Sequence, residues 1–184
     1  MIDEMLIHSL QLQAAVRKKV RFGFSSTEAE KILSAVDRST NVGKRDYAML
    51  VLAKHTGLRA VDVIHMRLGD IDWNNNEIQI IQHKTKRPLI LPLENTVGNA
   101  IAEYILKARP ESDYQEVFLR VKAPYEPLGQ GNGTVITRKY AQKAGVTWKP
   151  DEYKGFHSFR HSIGIGMLLS PVRVSYCGFE YLWR

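Results

Sequence analysis

The sequence predicts a mainly helical α+β domain that contains one small three-stranded antiparallel sheet. Three observations support this fold class: amphipathic segments with helix-capping residues, a single stretch of short β-branched runs separated by turns, and a size suited to one hydrophobic core. The chain has 184 residues, of which 44% are hydrophobic and 24% charged. This composition excludes a disordered chain, a collagen-like repeat and a coiled-coil rod.

The first part of the chain has the pattern of three helices. Ser25 and Glu28 form a capping box ahead of the first helix, which has an apolar face. A second helix is predicted over 46–55, which is apolar almost all round and therefore expected in the core; Gly57 ends it. A third helix is predicted to follow and to stop at Gly69.

Between residues 71 and 93 the pattern becomes that of strands. Three apolar, β-branched runs are separated by an Asn-rich turn at 74–76 and a basic turn at 83–87, which is typical of a small antiparallel sheet. Asn95 is then predicted to cap a helix that Pro110 ends.

The last third of the chain is predicted to contain two more helices. One runs from about Thr134 to Ala144 and meets Gly145. The other starts near His157 and continues through Arg160. A loop rich in proline and glycine precedes the first of these two helices.

Charge gives the first indication of function. The chain carries 26 Lys and Arg against 19 Asp and Glu, a net charge of +7. The excess is concentrated in residues 138–160 and in the turn that contains Lys84, Lys86 and Arg87. Such clusters suit a polyanion, because neutralising phosphates releases condensed counterions. The alternative is a set of solvated faces on a mildly basic protein.

The sequence also predicts the compartment. No apolar run approaches the roughly 18–20 residues of a bilayer span, and the first residues, Met-Ile-Asp-Glu, are acidic where a signal peptide is basic. The single cysteine, Cys177, excludes an internal disulfide and a thiolate metal cage. We therefore expect a cytoplasmic protein.

Three short motifs carry candidate functional residues. The sequence Thr-Gly-Leu-Arg ends at Arg59, with Asp62 one helical turn further on; alone, this pattern is typical of a surface ion pair. Lys84 lies in the predicted hairpin turn, where a lysine is usually only solvated. The sequence His-Ser-Phe-Arg-His places His157 and Arg160 one turn apart on the same side of a helix.

Taken together, these motifs closely resemble the tyrosine recombinase, or phage integrase, family: TGLR with an acidic residue three later, a lysine on a hairpin ending in Leu-Ile-Leu-Pro-Leu, and H-x-x-R-H opening a helix. The resemblance covers about 22–169. It implies an integrase-like catalytic core that cleaves and rejoins DNA through a 3′-phosphotyrosyl intermediate. It further implies that Arg59 and Arg160 hold the scissile phosphate, and that Lys84 and His157 transfer protons.

These roles are chemically sensible. Attack on a phosphodiester concentrates negative charge on the non-bridging oxygens, which two guanidiniums can meet with bidentate donors. A lysine can protonate the leaving 5′-hydroxyl, and histidine, whose ordinary pKa is near neutrality, can act as acid or base. The resemblance therefore implies no metal and no other cofactor.

Other basic residues are expected to contact DNA. They lie in the hairpin turn, on the predicted helix near 134–144 and beside the second arginine: Lys86, Arg87, Arg138, Lys139, Lys143 and His161. For His161 a buried, hydrogen-bonded imidazole is the alternative.

The sequence departs from the family near its C-terminus. In the family the nucleophilic tyrosine follows the second arginine by roughly thirty residues, beyond a Leu-Gly-His segment. No Leu-Gly-His follows Ser170 in this chain. Our hypothesis is that this region is truncated or frame-shifted and lacks the normal nucleophile. Tyr176 and Tyr181 remain candidate nucleophiles, although each follows Arg160 by fewer residues than the family pattern requires. The alternative is that their side chains pack the tail against the core.

The resemblance divides the chain into three parts. Residues 1–22 are expected to be a linker or the remnant of a missing N-terminal DNA-binding domain, 23–169 the catalytic domain, and 170–184 an atypical tail. The implied partners are double-stranded DNA and, in the full-length protein, sister protomers in a recombination tetramer. We expect this chain alone to be a monomer that is inactive by itself, derived from a phage or mobile element.

Three alternative interpretations fit parts of the sequence. His157 and His161 have the spacing of zinc ligands, but Ser158 stands where a zinc protease has its glutamate. The second alternative is an RNA-binding module in which five aromatic residues are stacking platforms for single strands, although spaced aromatics are more often core: Trp73, Tyr104, Phe118, Tyr125 and Tyr140. The third is a non-catalytic duplex-binding protein derived from a recombinase, which keeps the arginines and forms no covalent adduct.

Overall fold

The computed structural model describes residues 23–148 and 154–160. Within them the helices are α1 Ser26–Ser34, α2 Asn41–Thr56, α3 Ala60–Ile64, α4 Asn95–Lys107 and α5 Asn132–Lys143, and residues 156–160 are also helical. The strands are β1 Ile71–Asp72, β2 Glu77–Ile81 and β3 Pro88–Pro92. They form one antiparallel sheet in the order β1, β2, β3. The predicted fold class is confirmed.

Helix α1 begins as the capping box predicts. The Ser25 hydroxyl accepts a 3.1 Å hydrogen bond from the Glu28 backbone N–H, and the Glu28 carboxylate accepts one of 2.7 Å from the Ser25 N–H. The apolar face of α1 is buried against the core. These reciprocal bonds satisfy donors that a helix N-terminus otherwise leaves free.

Helix α2 crosses the core and is longer than predicted, because it begins at Asn41 and not at Asp46. Its first turn is capped by Thr40, whose hydroxyl accepts a 3.0 Å hydrogen bond from the Gly43 N–H. The polar first turn hides the helical periodicity in the sequence. Arg45 and Asp46 are nevertheless buried, and their side chains form hydrogen bonds with each other.

The prediction that the third helix continues to Gly69 is wrong. Helix α3 ends at Ile64, and a separate 3-10 turn covers Leu68–Asp70. Between them, the backbone of 66–68 pairs with 115–117 through hydrogen bonds of 2.8 and 2.9 Å. This contact with a distant segment replaces the next turn of helix.

The sheet buries one face. Ile78 and Ile80 on β2 pair with Leu91 and Leu89 on β3, and all four side chains are buried. The alternate residues point to the other face, where Ile81 is 72% exposed. The turn that joins β2 to β3 carries Lys84, so the sheet supports a candidate functional residue.

Helix α4 packs along α2. It begins at Asn95, but its N-cap is Glu94 and not Asn95 as predicted. The reason is that the Glu94 backbone is extended and its carbonyl accepts a 2.8 Å hydrogen bond from the Gly98 N–H. Helix α4 ends at Lys107, shortly before the predicted stop at Pro110.

Helix α5 approaches two other elements closely at Gly133. A Cβ atom at this position would lie 3.1 Å from the Phe156 ring and 3.3 Å from the Ala60 methyl group. Ala60 begins α3, and Phe156 lies in the same helical stretch as Arg160. Because Gly133 has no side chain, α5 can pack closely against the start of α3 and against the helical stretch that carries Arg160.

We expect Gly133→Ala to lower the free energy of unfolding by about 1–2 kcal/mol, because crowding outweighs the better helix propensity of alanine. Urea unfolding measures the change. The matched control is Gly131→Ala, since a Cβ there meets no atom within 4 Å; its effect should stay within about 0.5 kcal/mol. Equal effects of the two substitutions would contradict the packing argument.

Among the described helices none is both long and apolar enough for a bilayer crossing. Within 23–148 and 154–160 no three His, Cys, Asp or Glu side chains are grouped so that they could hold a metal ion.

Candidate active site

The junction between α2 and α3 places the first predicted arginine. Gly57 ends α2 in the left-handed conformation, with φ 62°, and its N–H donates to the Ala53 carbonyl at 3.0 Å. Glycine adopts this conformation without the steric cost of a Cβ atom. Leu58 is then buried, and Arg59 is the N-cap residue of α3. The sharp turn thereby brings Arg59 to the start of a new helix.

The second predicted arginine lies at the same junction. Arg160 is 8% exposed, and its Nη1 donates a 3.0 Å hydrogen bond to the Gly57 carbonyl. Burial, and then the charge of Arg59, lower the pKa of Arg160 to about 10, while the charge of Asp62 acts in the opposite direction. Arg160 therefore stays positive at neutral pH, next to a second guanidinium. Two neighbouring guanidiniums can bind an anion such as phosphate through bidentate hydrogen bonds.

Aromatic packing holds the stretch that carries Arg160. The Phe159 ring lies 5.0 Å from Phe24 and 6.4 Å from Phe156, measured between ring centroids. The Ser158 hydroxyl accepts a 3.0 Å hydrogen bond from the Gly155 N–H, which stabilises the start of the helical stretch. The backbone at Arg160 is therefore set by contacts with the N-terminal end of the described chain.

Asp62 connects α3 to the hairpin. Its side chain is buried, and Oδ1 accepts a 2.7 Å hydrogen bond from the backbone N–H of His83. The interpretation of Asp62 as part of a surface ion pair is therefore wrong. A residue immediately before Lys84 is instead bonded to the helix that Arg59 begins. The sequence signal for this contact is an acidic residue three positions after Arg59, but the motif alone does not indicate that Asp62 bonds to the hairpin.

Four other predicted site residues lie at the surface. Lys84, Lys86 and Arg87 are exposed in the hairpin turn, and Lys86 has a positive φ of 55°. His157 is exposed, in the same helical stretch as Arg160. Three further predicted residues lie outside the described residues: His161, Tyr176 and Tyr181.

Helix α5 presents a basic face. Arg138, Lys139 and Lys143 are exposed on it. The Nζ of Lys139 lies 3.7 Å from a carboxylate oxygen of Asp46 and 3.2 Å from the Tyr140 hydroxyl. Part of the charge of Lys139 is thus neutralised within the protein, which the sequence does not indicate.

Asp46 is the centre of a buried polar network, which explains the burial of charged residues in α2. Its Oδ1 accepts hydrogen bonds from Arg45 Nε at 3.0 Å and Nη2 at 2.7 Å, and its Oδ2 accepts one of 2.9 Å from the Tyr140 hydroxyl. Arg45 Nη1 also donates to the Leu119 carbonyl at 3.1 Å. The network joins α2 to α5 and so fixes the position of the basic face.

The network predicts a pH dependence. Burial and the Asp46 charge raise the pKa of Tyr140. A raised pKa stabilises the fold fully below about pH 10, where an unfolded tyrosine ionises, and the stabilisation declines as pH rises above that value. We expect Tyr140→Phe to cost about 1–2 kcal/mol at neutral pH, and the difference from the wild type to narrow above about pH 10.

Urea unfolding at about pH 8 and about pH 10.5 measures this difference. Tyr125→Phe is the control, since Tyr125 is 42% exposed. A constant difference between wild type and Tyr140→Phe at both pH values would contradict the prediction.

The aromatic residues are divided between core and surface. Tyr104, Phe118 and Tyr140 are buried, and the Tyr104 and Phe118 rings stack at 5.7 Å. Trp73 and Tyr125 are exposed. Three of the five candidate stacking platforms are therefore core residues, as the alternative interpretation expects.

Comparison with known proteins identifies the family. Residues 24–174 match the model of the phage integrase family. The chain is 38% identical over 144 residues to the putative integrase/recombinase y4gC of Sinorhizobium fredii, a match that covers 78% of this chain and 73% of that protein. The chain therefore belongs to the phage integrase family, and its resemblance to the tyrosine recombinases is confirmed.

Solved structures agree on the fold. The crystal structure of XerA recombinase matches with a TM-score of 0.67 at 20% sequence identity, over 81% of this chain and 50% of that one. A lambda integrase dimer bound to a COC′ core site matches with a TM-score of 0.64 at 20% identity, over 84% of this chain and 53% of that one. Apart from y4gC, the chain spans between 32% and 50% of the length of the curated relatives that it matches.

Proposed function

We propose that this chain is the catalytic domain of a recombinase of a phage or mobile element, which cleaves and rejoins DNA strands at specific sites in the cytoplasm. One observation carries the proposal: Arg160 donates to the carbonyl of Gly57 at 3.0 Å, and its pKa responds to Arg59. Two guanidiniums thus share one junction although their residues are far apart in sequence. A phosphodiester is the anion whose transition state best uses such a pair.

The proposed reaction assigns one task to each group. Arg59 and Arg160 hold the non-bridging oxygens of the scissile phosphate. A tyrosine oxygen forms a bond to phosphorus while the bond to the 5′-oxygen breaks, leaving a 3′-phosphotyrosyl link and a free 5′-hydroxyl. Lys84 gives its proton to the departing 5′-oxygen, and His157 accepts the proton of the tyrosine.

The basic surfaces are proposed to bind double-stranded DNA. Arg138 and Lys143 are exposed on α5, and Lys86 and Arg87 are exposed beside Lys84. His161 and Lys139 complete the proposed set. The matched lambda integrase structure is a dimer bound to a COC′ core site, so sister protomers on paired sites are proposed as partners in recombination, and a monomer for this chain alone.

The candidate nucleophiles of this chain are Tyr176 and Tyr181. Both follow the segment 24–174 that matches the family. Our proposal keeps the hypothesis that the normal nucleophile is not among residues 170–184. The second candidate function, a duplex-binding protein without cleavage, follows from the same hypothesis, since the arginine pair binds phosphate whether or not a nucleophile is present.

A covalent-trapping experiment tests the proposal. The chain is incubated with a pool of nicked duplexes and boiled in detergent, and duplex binding is measured in parallel at low salt. A boiling-resistant protein–DNA band that Tyr176→Phe or Tyr181→Phe abolishes assigns the nucleophile. Duplex binding that Arg59→Ala weakens, without such a band, supports the non-cleaving function. Binding that Arg59→Ala leaves unchanged contradicts the phosphate site.

A further inference from the structure

The turn between β2 and β3 is built around one buried polar residue. Gln82 is 1% exposed. Its backbone N–H donates to the Arg87 carbonyl at 2.9 Å, and its carbonyl accepts a 2.8 Å hydrogen bond from the Lys86 N–H. Its side-chain Oε1 accepts a 2.6 Å hydrogen bond from the Thr85 hydroxyl. Gln82 therefore bonds to three of the five residues that follow it, all of them in the turn.

A glutamine is unexpected at this position. The inward residues of β2 are Ile78 and Ile80, and Gln82 continues their alternation into the core. Its Nε2 is buried and has no hydrogen-bond partner within the part of the chain that the structure describes. An apolar side chain would fill the same place without burying an amide, and buried amides are costly unless they make hydrogen bonds. An apolar residue could not accept the hydrogen bond from the Thr85 hydroxyl, whereas the Gln82 amide oxygen does.

The residues on both sides of Lys84 each donate a hydrogen bond to a buried side chain. His83, just before it, donates its backbone N–H to the Asp62 carboxylate at 2.7 Å. Thr85, just after it, donates its hydroxyl to Gln82 at 2.6 Å. Lys84 itself is exposed. The turn thus restricts the backbone at Lys84 while it leaves the amine in solvent, where a ligand can reach it.

We propose that Gln82 is a positioning residue for Lys84: its amide oxygen holds Thr85, and the ordered turn presents the Lys84 amine toward the arginine pair. This inference rests on the proposed function for the task of Lys84. The order of the turn is a separate property, which can be measured without DNA. A protein with these contacts loses less entropy on binding phosphate than one whose turn must order first.

The first experiment measures amide hydrogen exchange by NMR in the wild type and in Gln82→Met, which keeps the side-chain length and removes the acceptor. We expect the Lys86 N–H to exchange at least about tenfold faster in the variant, with little change in α2. Gln79→Met is the matched control, since Gln79 lies on the exposed face of the same strand. Thr85→Val removes the same hydrogen bond from the other side and serves if Gln82→Met does not fold. Unchanged exchange at Lys86 would overturn the proposal.

The second experiment is a double-mutant cycle on duplex affinity with Lys84→Met. We expect Lys84→Met to reduce the slope of log affinity against log salt by about 1. Gln82→Met should weaken binding in the wild type and have no further effect in the Lys84→Met background. A core-packing role would lower the melting temperature without this coupling. Equal losses in both backgrounds would overturn the proposal.

The two experiments also separate this inference from the proposed function. If Lys84→Met leaves duplex affinity unchanged, the assignment of Lys84 to the phosphate site fails, and with it the positioning role of Gln82. Faster exchange at Lys86 in that case still assigns the order of the turn to Gln82. If Lys84→Met weakens binding but Gln82→Met does not, the proposed function stands and the inference about Gln82 is wrong.

Discussion

Replacing Asp46 with alanine is expected to lower the free energy of unfolding by about 3–5 kcal/mol, because removing one partner of a buried ion pair leaves the other charge without compensation. Asp46 is 1% exposed and Arg45 9% exposed. The substitution removes both hydrogen bonds from the Arg45 guanidinium and the one from the Tyr140 hydroxyl. The hydrogen bond that joins α2 to α5 is lost at the same time.

Urea unfolding of Asp46→Ala and of a matched control measures this effect. Asp113→Ala removes the same charge from an exposed position and should change stability by no more than about 0.5 kcal/mol. Because α5 carries Arg138 and Lys143, Asp46→Ala should also weaken duplex binding when the variant is folded. A loss of stability below about 1 kcal/mol would show that Arg45 finds another partner and that the network is not the link between the helices.

The second large effect is expected from Arg160→Met. Removing one charge-stabilising donor from an active site typically slows the chemical step by about 10²–10³-fold, so we expect a loss of this size in any covalent trapping. The salt slope of duplex affinity should fall by about 1. Stability should change much less than in Asp46→Ala, because the folded protein already disfavours the charge of Arg160, whose pKa is lowered to about 10.

Binding, trapping and urea unfolding are measured together for this variant. Arg120→Met is the matched control: Arg120 is exposed and pairs with Glu126 at 3.3 Å. It removes the same charge away from the arginine pair and should leave trapping unchanged. If Arg120→Met and Arg160→Met reduce duplex affinity equally, general charge and not a phosphate site accounts for the binding.

The sequence alone identified several features correctly because they depend on neighbouring residues. The capping box of Ser25 and Glu28, the stop at Gly57 and the three strands are short-range patterns, and each is present in the structure. Helix boundaries failed where a distant segment intervened, as at 66–68. The motifs alone predict Arg59, Lys84 and Arg160 as site residues, and the structure places Arg160 at the junction of α2 and α3, where Arg59 also lies.

Only the tertiary structure decided which polar residues are buried and what they contact. The bond from His83 to Asp62 joins residues that are 21 positions apart, and those from Tyr140 to Asp46 and from Arg160 to Gly57 join residues 94 and 103 positions apart. Periodicity and capping rules describe neighbours along the chain, so they cannot assign partners at such separations. Packing brings these residues together, and the low dielectric of the interior then makes each pairing strong and each unpaired group costly.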